Sequence, residues 1–320
     1  MSGSNGSPGG VVALAGGVGA ARFLCGLVRR VPPAEVTAIV NTGDDRSFYG
    51  VHVSPDLDIV TYTLAGRVDR EKGYGLEGDG FAVVETLAAH GHETWFRLGD
   101  RDLATCLHRT IRLAEGIGLA AVSDEIRRSF GVATRILPMS EDPCPTFVEL
   151  SGNRRAHFEE YLVRDGAPDE VAAVDLSAAA AAAPAPGVLE ALEAASAILI
   201  CPSNPVVSIG PILEVPGIRE AVSARRASVV AISPIVGGAP VKGPADRLLR
   251  GVGVEVSARG VAGLYRDICS GYVLDERDAE QARDVEALGM RTAVLDTLMR
   301  DTEVAARVAE VALALARQSG

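Results

Sequence analysis

Short apolar runs alternate with amphipathic stretches along most of the chain, and each run ends in a polar or glycine-rich turn. The runs read as buried strands over Val11–Ala15, Val36–Val40, Ile198–Ile200 and Val229–Ile232. Apolar residues at helical spacing predict helices over about Ala20–Arg30, Phe81–His90, Leu103–Glu115, Val188–Ala195, Asp246–Arg250, Val261–Ile268 and Glu303–Arg317. Strands that alternate with helices predict an α/β fold, a three-layer Rossmann-like domain with a mainly parallel sheet.

Residues 140–185 break this alternation. Two β-rich stretches, Thr146–Leu150 and Ala156–Val163, flank Ser151-Gly152-Asn153, as in a hairpin. A third short strand is expected over Trp95–Leu98. We therefore expect one catalytic domain over residues 11–320 with a smaller α+β insertion at about 140–185, preceded by a flexible Ser/Gly-rich leader over residues 1–10.

Composition narrows the class of protein. The chain has 320 residues, 48% of them hydrophobic, with a net charge of −11, which disfavours binding to nucleic acid or to an anionic membrane. No apolar run reaches the length of a membrane span, and the leader lacks the features of a secretion signal, so we expect a cytoplasmic protein. The five cysteines and five histidines show no zinc-site or disulfide spacing.

The first candidate site is the turn Gly16-Gly17-Val18-Gly19, between the first strand and the first helix. Glycines there let backbone N–H groups approach a diphosphate at the helix N-terminus, and Arg22 is placed to add a phosphate contact. A tight turn without any ligand gives the same pattern, and Arg22 is equally consistent with a solvated cation. The third small residue of the dinucleotide fingerprint is missing, because Arg22 stands in its place.

The second candidate site is acidic. Asp44 and Asp45 follow the second strand at its carboxyl end, where open α/β sheets bind ligands. Asp56 and Asp58 come shortly after, behind Ser54-Pro55, so Asp56 is also explained as a first-turn acid that suits the helix dipole. Carboxylates facing a diphosphate favour Mg²⁺, for which Asp44 and Asp45 are the candidate ligands.

Two further polar turns complete the candidates. Arg97 lies in a cluster of charges that continues to Asp102, whose acids also fit helix caps. Ser203 and Asn204 follow a buried strand between two prolines, a position suited to a nucleotide or to a structural turn. Lys242, beside Gly243-Pro244, offers a cation to a phosphate or base, or is an exposed lysine.

In their order along the chain, these blocks resemble the 2-phospholactate transferase family of coenzyme F-420 biosynthesis, in particular its phosphoenolpyruvyl-transferring bacterial branch. The resemblance spans nearly the whole chain. It rests on the blocks Leu14–Leu24, Asn41–Asp45, Ser54–Asp58, Leu98–Asp102, Ile136–Ser140 and Ser203–Leu213.

The resemblance implies a Mg²⁺-dependent transfer of a phosphorylated three-carbon acid from a guanosine diphosphate conjugate to the ribityl hydroxyl of Fo, the 8-hydroxy-5-deazariboflavin, with release of GMP. By similarity, Asp58 and Arg97 contact the deazaflavin, and Asp45 or Asp58 is the catalytic base. The resemblance also implies that Asp45 lies near the metal, with Asp44 or Asp56 assisting it. The residues implied on the nucleotide side are Gly16, Gly17, Val18, Gly19, Arg22, Ser203, Asn204 and Lys242. The resemblance also implies a homodimer and leaves open which acid is carried.

Two other functions fit parts of the pattern. The gluconeogenesis-factor family, which is similar in its glycine-rich start, suggests a regulatory protein that binds a nucleotide sugar. Members of that family usually carry Gly-Gly-Ser-Ser after the paired aspartates, whereas Arg46-Ser47-Phe48 follows here. A nicotinamide oxidoreductase is the other alternative, and Arg22 at the third glycine position disfavours it.

Overall fold

The computed structural model describes residues 9–318, so of the predicted leader only Gly9 and Gly10 fall within the described residues. The strands are β1 (Val11–Ala15), β2 (Val36–Val40), β3 (Arg46–Phe48), β4 (Val51–Val53), β5 (Arg135–Pro138), β6 (Phe147–Leu150), β7 (Arg154–His157), β8 (Val171–Asp175), β9 (Ala197–Ile200), β10 (Val229–Ile232), β11 (Ile235–Val236), β12 (Ala239–Pro240), β13 (Gly271–Asp275) and β14 (Arg291–Leu295). Within residues 9–318, no helix is both long enough and apolar enough to cross a bilayer.

The α-helices flank the sheet and connect its strands. They are α1 (Gly17–Leu27), α2 (Pro55–Leu64), α3 (Ala82–Ala89), α4 (Asp100–Ala114), α5 (Leu119–Ser129), α6 (Ser177–Ala180), α7 (Val188–Ala194), α8 (Ile209–Glu214), α9 (Ile218–Ala224), α10 (Ala245–Gly251), α11 (Ala258–Tyr265), α12 (Ala282–Glu286) and α13 (Thr302–Arg317). Every helix that the sequence pattern predicts is present, with bounds that differ from the predicted ones by a few residues.

Seven strands form the central sheet in the order β14-β13-β10-β9-β1-β2-β5, and every neighbouring pair in it is parallel. This confirms the predicted α/β fold. From β1 the chain runs outward to β2 and β5 on one side, and later from β9 to β14 on the other. The order of the strands therefore reverses beside β1, and a crevice opens there at the carboxyl ends of the strands.

The central strands are buried on both faces. Along β1, Val12 and Leu14 belong to one apolar cluster, whereas Ala13 and Ala15 belong to the other. Because successive strand residues point to opposite faces, this alternation places one apolar layer on each side of the sheet. The result is the three-layer arrangement that holds the carboxyl ends of the strands in fixed positions.

The predicted hairpin is present, since β6 and β7 pair in an antiparallel manner around Ser151-Gly152-Asn153, and β8 pairs with the other edge of β6. Two local predictions are wrong. Residues 95–98 form no strand, because Trp95 and Phe96 pack their rings against Phe48 instead of pairing along a sheet. The second β-rich stretch ends as a strand at His157, and Glu160–Arg164 form a π-helical turn.

Helix α1 packs closely on α13, and Gly26 makes that approach possible. A Cβ atom at Gly26 would lie 2.2 Å from the backbone carbon of Ala305, a contact that requires one of the helices to move. We expect Gly26→Ala to destabilise the protein by about 1–3 kcal/mol through this overpacking, measured as a lower thermal unfolding midpoint. Gly263→Ala is the matched control, because it also lies within a helix but nothing lies within 4 Å of its Cβ position. Equal midpoints for the two variants would contradict the close-packing argument.

Candidate active site

The crevice at the carboxyl ends of the strands holds a cavity of about 700 Å³. That volume falls in the range of pockets that bind cofactor-sized molecules. The predicted site residues that line the cavity are Gly16, Gly17, Val18, Gly19, Arg22, Asp44, Asp56, Asp58, Arg97, Ser203, Asn204 and Lys242. Asp45 is the one predicted site residue that is not part of the cavity wall, although it follows Asp44 directly in the chain.

Asp56 fixes the glycine-rich turn. The backbone N–H of Gly17 donates to Asp56 Oδ1 at 2.7 Å, and Asn41 Nδ2 donates to Oδ2 at 2.9 Å. Ser203 Oγ accepts a hydrogen bond from the N–H of Gly16 at 3.3 Å. These bonds tie the turns after β1, β2 and β9 together, so the carboxylate at the start of α2 has a structural role of its own.

The glycines of this turn are required by close approach. A Cβ at Gly19 would lie 2.3 Å from the carbonyl oxygen of Pro202, and Gly17 has a φ of +71°. Both positions therefore exclude larger residues without any ligand being present. The same geometry brings the N-terminus of α1 to the cavity wall, where it favours an anion.

Acidic side chains crowd the cavity next to this turn. Burial, followed by the charge of Asp56, raises the pKa of Asp44 well above its usual range. Burial also raises the pKa of Asp56 to about 6, although the hydrogen bonds from Asn41 and Gly17 oppose the change. Glu159 lines the same region, and burial followed by the charge of Asp56 raises its pKa to about 8.

Unpaired oxygens among these acids suit a divalent cation. Asp44 Oδ1 and Asp45 Oδ1 are buried without a hydrogen-bond partner, whereas Asp45 Oδ2 accepts from Ser54 Oγ at 2.6 Å. His52 Nε2 lies 3.0 Å from the same Oδ2. A hard cation such as Mg²⁺ takes one or two carboxylates and completes its shell with water and phosphate oxygens, so these orphaned oxygens fit it.

A different group of three side chains within residues 9–318 brings possible metal-ligand atoms close together. Donor atoms of Asp58, Asp102 and Cys106 all lie within 4.8 Å of one another. This trio does not suit Mg²⁺. The guanidinium of Arg109 already pairs with Asp58, and burial raises the pKa of the Cys106 thiol far above its usual value, which leaves it protonated.

The pair of Asp58 and Arg109 is buried beside the cavity. Arg109 Nη1 donates to Asp58 Oδ2 at 3.1 Å, Nη2 donates to Oδ1, and the arginine is only 1% exposed. Burial raises the pKa of Asp58, and the charge of Arg109 opposes that increase. Asp102 lies next to this pair, accepts from Tyr62 Oη at 2.8 Å, and has a pKa raised by burial to about 7.

Aromatic rings form the wall at this end. Phe48 and Phe96 stack with centroids 3.9 Å apart and planes 8° from parallel, and Trp95 meets Phe48 edge-on at 5.2 Å. Trp95 and Phe96 both line the cavity. Arg97 lies at its exposed rim, with its guanidinium 4.5 Å from the centroid of the Phe81 ring. The cavity therefore has an aromatic region next to buried acids.

Two cations, Arg22 and Lys242, line the cavity near the glycine-rich turn. Lys242 Nζ donates to the carbonyl oxygen of Lys72 at 3.2 Å, and burial together with the charge of Arg22 lowers the pKa of Lys242. An anion held between these cations and the acids would gain from the cations and the helix dipole, and it would need a counter-charge on the acidic side.

Several residues of the site were not found from the sequence. Arg109 lies within an amphipathic helix with many charges, and nothing in its spacing marks it as buried. Glu159 falls in the stretch interpreted as a strand. Tyr62 and Asp102 showed no pattern beyond those of a helix and a cap. The Trp95-Phe96 pair was visible, but a strand interpretation hid its role in the aromatic wall.

Comparison with known proteins identifies the family. The model of the family "2-phospho-L-lactate transferase CofD" matches residues 11–312. The chain belongs to this transferase family. Among its curated relatives, the phosphoenolpyruvate transferase of Kitasatospora aureofaciens is 47% identical over 314 residues, which cover 96% of this chain and 98% of that protein.

Some curated relatives are named phosphoenolpyruvate transferase and others 2-phospho-L-lactate transferase. The 2-phospho-L-lactate transferase of Methanosarcina mazei is 39% identical over 301 residues, covering 94% of this chain and 98% of that protein. Among solved structures, the Bacillus halodurans protein BH3568, a member of the UPF0052 family, gives TM-scores of 0.62 and 0.64 in two crystal structures. Those structures are 22% and 19% identical, cover 96% and 97% of this chain, and are themselves covered completely. At that identity, they show that the fold is shared.

The buried ion pair gives a stability prediction. Arg109→Met should cost about 3–5 kcal/mol at neutral pH, because it leaves the Asp58 carboxylate buried without a counter-charge. Without the arginine, the folded-state pKa of Asp58 rises further, so the folded variant gains from protonation. Its deficit should therefore shrink as the pH falls from 8 to 5. Thermal unfolding at each pH measures this.

Asp58→Asn, added to the Arg109→Met variant, should recover part of the loss by removing the unpaired charge. Arg128→Met is the surface control, because the Arg128 side chain is 70% exposed in its pair with Asp124. Its cost should stay within about 1 kcal/mol. A pH-independent deficit in Arg109→Met would contradict the proposed origin of the loss.

Glu159 gives a second pH-dependent prediction. Its folded-state pKa of about 8 exceeds the ordinary value for a glutamate. The folded protein therefore binds the proton of Glu159 more tightly than the unfolded chain does. This contribution to the free energy of unfolding is complete below the unfolded-state pKa and is lost as the pH rises through 8. Glu159→Gln should reduce the fall of the unfolding midpoint between pH 5 and 8.5, measured with EDTA present. An unchanged pH profile, compared with the exposed control Glu149→Gln, would contradict this assignment.

Proposed function

We propose that this chain transfers a phosphorylated three-carbon acid from its guanosine diphosphate conjugate to Fo, with release of GMP. The observation that carries the proposal is that one cavity is lined by the glycine-rich turn, by Asp44 with its unpartnered Oδ1, and by the rings of Trp95 and Phe96. Family membership and the names of the relatives support the transferase class. Both substrates would lie in one cavity, as direct transfer between them requires.

The donor would bind across the glycine-rich turn. The N-terminus of α1 offers positive dipole to the diphosphate, and Arg22 and Lys242 line the cavity near it. Ser203 and Asn204 line the same side. Ser203 already holds Gly16, and Asn204 Oδ1 accepts the N–H of Val206 at 2.9 Å, so these residues also shape the turn around the donor.

The acceptor would bind against the aromatic wall. The ring system of Fo is flat and largely apolar, and Trp95 and Phe96 offer it an aromatic surface. Their planes stand at 88° to each other, so one ring would stack on the acceptor face to face while the other meets its edge. Arg97 at the rim and Asp58 at the base of the wall are placed to contact its polar edge and its ribityl chain. This arrangement points the terminal hydroxyl of the acceptor towards the acidic region.

Mg²⁺ would be held by Asp44 and Asp45, whose buried oxygens lack partners, with Asp56 and Glu159 close by. When bound, Mg²⁺ supplies positive charge that offsets the charge of the diphosphate during transfer. Asp56 is less suited than Asp44 to bind the metal, because each of its oxygens already accepts a hydrogen bond. Asp44 is therefore the ligand for which the structure offers the strongest support.

The chain's own residues would orient the attacking hydroxyl. Asp58 lines the cavity and is held in place by two hydrogen bonds from Arg109. Its remaining lone pairs can accept the proton of the ribityl hydroxyl as the oxygen attacks phosphorus and GMP leaves. Asp45 is less suited to this role, because it lies behind the cavity wall and accepts from Ser54. Asp58 is thus our choice for the base.

Product analysis tests the proposal. Purified protein is incubated with Fo, Mg²⁺ and, in turn, the phosphoenolpyruvyl, 2-phospholactyl and 3-phosphoglyceryl conjugates of guanosine diphosphate. The products are identified by mass spectrometry. Asp44→Asn should lower turnover at least about 100-fold, because loss of a ligand removes several kcal/mol of charge stabilisation. It should also weaken Mn²⁺ binding, followed by electron paramagnetic resonance.

The control for this variant is Asp124→Asn, whose side chain pairs with Arg127 and Arg128 on the surface of α5. It should retain both turnover and metal binding. Absence of a deazaflavin phosphodiester with all three conjugates would refute the transfer reaction. Normal turnover by Asp44→Asn would instead leave the reaction standing and refute only the metal assignment.

A further inference from the structure

Two aspartates outside the acidic region are almost completely buried. Asp275 and Asp278 lie at and just after the carboxyl end of β13, and each is 1% exposed. Buried carboxylates are rare without partners, because removing the charge from water is costly. Both aspartates accept hydrogen bonds from backbone N–H groups of segments that line or adjoin the cavity, Thr297 for Asp275 and the Gly237-Gly238 turn for Asp278.

Asp278 holds the tip of a very short hairpin. Strands β11 and β12 have two residues each and are joined by Gly237 and Gly238, which have φ values of +60° and +76°. The N–H of Gly237 donates to Asp278 Oδ2 at 2.8 Å, and that of Gly238 donates to Oδ1 at 3.3 Å. A hairpin this short is marginal by itself, so its position depends on such external bonds.

The carboxylate of Asp278 is itself held in place. Gln281 Nε2 donates to Asp278 Oδ1 at 3.2 Å, and Gln281 Oε1 accepts the N–H of Arg259 in the first turn of α11 at 3.0 Å. The hairpin tip is therefore connected through two side chains to α11. This chain of hydrogen bonds joins the hairpin of β11 and β12 to α11, a helix that packs in the core.

The hairpin carries part of the cavity wall. Val236 lines the cavity from one arm, and Pro240, Val241 and Lys242 line it from the other. Lys242 follows β12 by only two residues, so a displaced hairpin would displace Lys242 as well. Apart from its bond to the carbonyl oxygen of Lys72, the lysine lies 5.8 Å from the centroid of the Tyr74 ring. The hairpin thus sets the backbone position of Lys242, while its ammonium group also contacts the segment that carries Lys72 and Tyr74.

We propose that Asp278 is a positioning residue for the nucleotide-linked donor, because it fixes the hairpin that presents Lys242 to the diphosphate. This inference rests on the function proposed above and adds to it a residue that touches neither substrate. Among the residues that the structure describes, neither Trp95 nor Phe96 forms a hydrogen bond with this hairpin. The effect of Asp278 should therefore be confined to the donor.

Steady-state kinetics test the confinement. Asp278→Ala should raise KM for the guanosine diphosphate conjugate about tenfold. This is the increase expected when the charge-assisted hydrogen bond between Lys242 and the diphosphate is lost. KM for Fo and kcat should each change less than about twofold, because neither the aromatic wall nor the reacting groups move. Asp278→Asn keeps one oxygen acceptor, so its donor KM should fall between those of the wild type and the alanine variant.

A double-mutant cycle separates positioning from a general structural effect. If Asp278 acts through Lys242, the tenfold increase in donor KM caused by Asp278→Ala should largely vanish in a Lys242→Met background. Hydrogen exchange at the amides of Gly237 and Gly238 should accelerate in both Asp278 variants. Asp267→Asn, in which an 80% exposed side chain near the end of α11 is changed, is the control and should alter none of these quantities.

The outcomes distinguish this inference from the proposed function. An unchanged donor KM with accelerated amide exchange, or an undiminished effect in the Lys242→Met background, would overturn the role of Asp278 while the transfer reaction stands. The same cycle is run on the binding of GDP by calorimetry, which needs no turnover. A wild-type protein that neither forms the product nor binds GDP would refute both the function and the inference.

Discussion

The site depends on the carboxylate of Asp56, because this one side chain joins three separate segments. It accepts from the N–H of Gly17 after β1 and from the Asn41 side chain after β2, and it stands in the first turn of α2. Parallel strands bring their carboxyl ends to the same edge, but they do not fix the turns that follow them. Asp56 fixes two of these turns against each other, and it does so while buried among other acids.

That position has an electrostatic cost that shapes the cavity. Asp44 and Glu159 face Asp56, and burial raises the pKa of all three carboxyl groups. The hydrogen bonds to Asp56 favour its charged form, so the strain of like charges falls on its neighbours. Protonation relieves this strain in the free protein, and a divalent cation would relieve it when a diphosphate is bound. Under the proposed function, the acids would thus favour a diphosphate that binds together with a cation.

Much of the fold could be predicted because hydrophobic pattern and turn chemistry agreed. The bounds of β1, β2 and β10 followed directly from their apolar runs, and ligand residues were expected where β1 and β2 end. Arg109 could not be found in this way, since its burial results from the packing of α4 against β4 and from Asp58, which lies 51 residues away. A periodic pattern records which face of a helix is apolar, but it does not record a partner that neutralises a charge. The same limit hid Glu159, which reaches the cavity through a π-helical region that no local pattern predicted.

A regulatory protein that binds a single nucleotide would need only half of this cavity. The glycine-rich turn, Ser203 and the cations of Arg22 and Lys242 would be enough to hold a diphosphate. They do not account for a second half in which stacked rings lie beside a buried Asp58–Arg109 pair. Burying that pair costs free energy that aliphatic side chains would save, so a fold with only one ligand to bind gains nothing from it. A second, flat substrate with a hydroxyl to orient gives the pair a use, and this is the physical reason to prefer a transferase with two substrates.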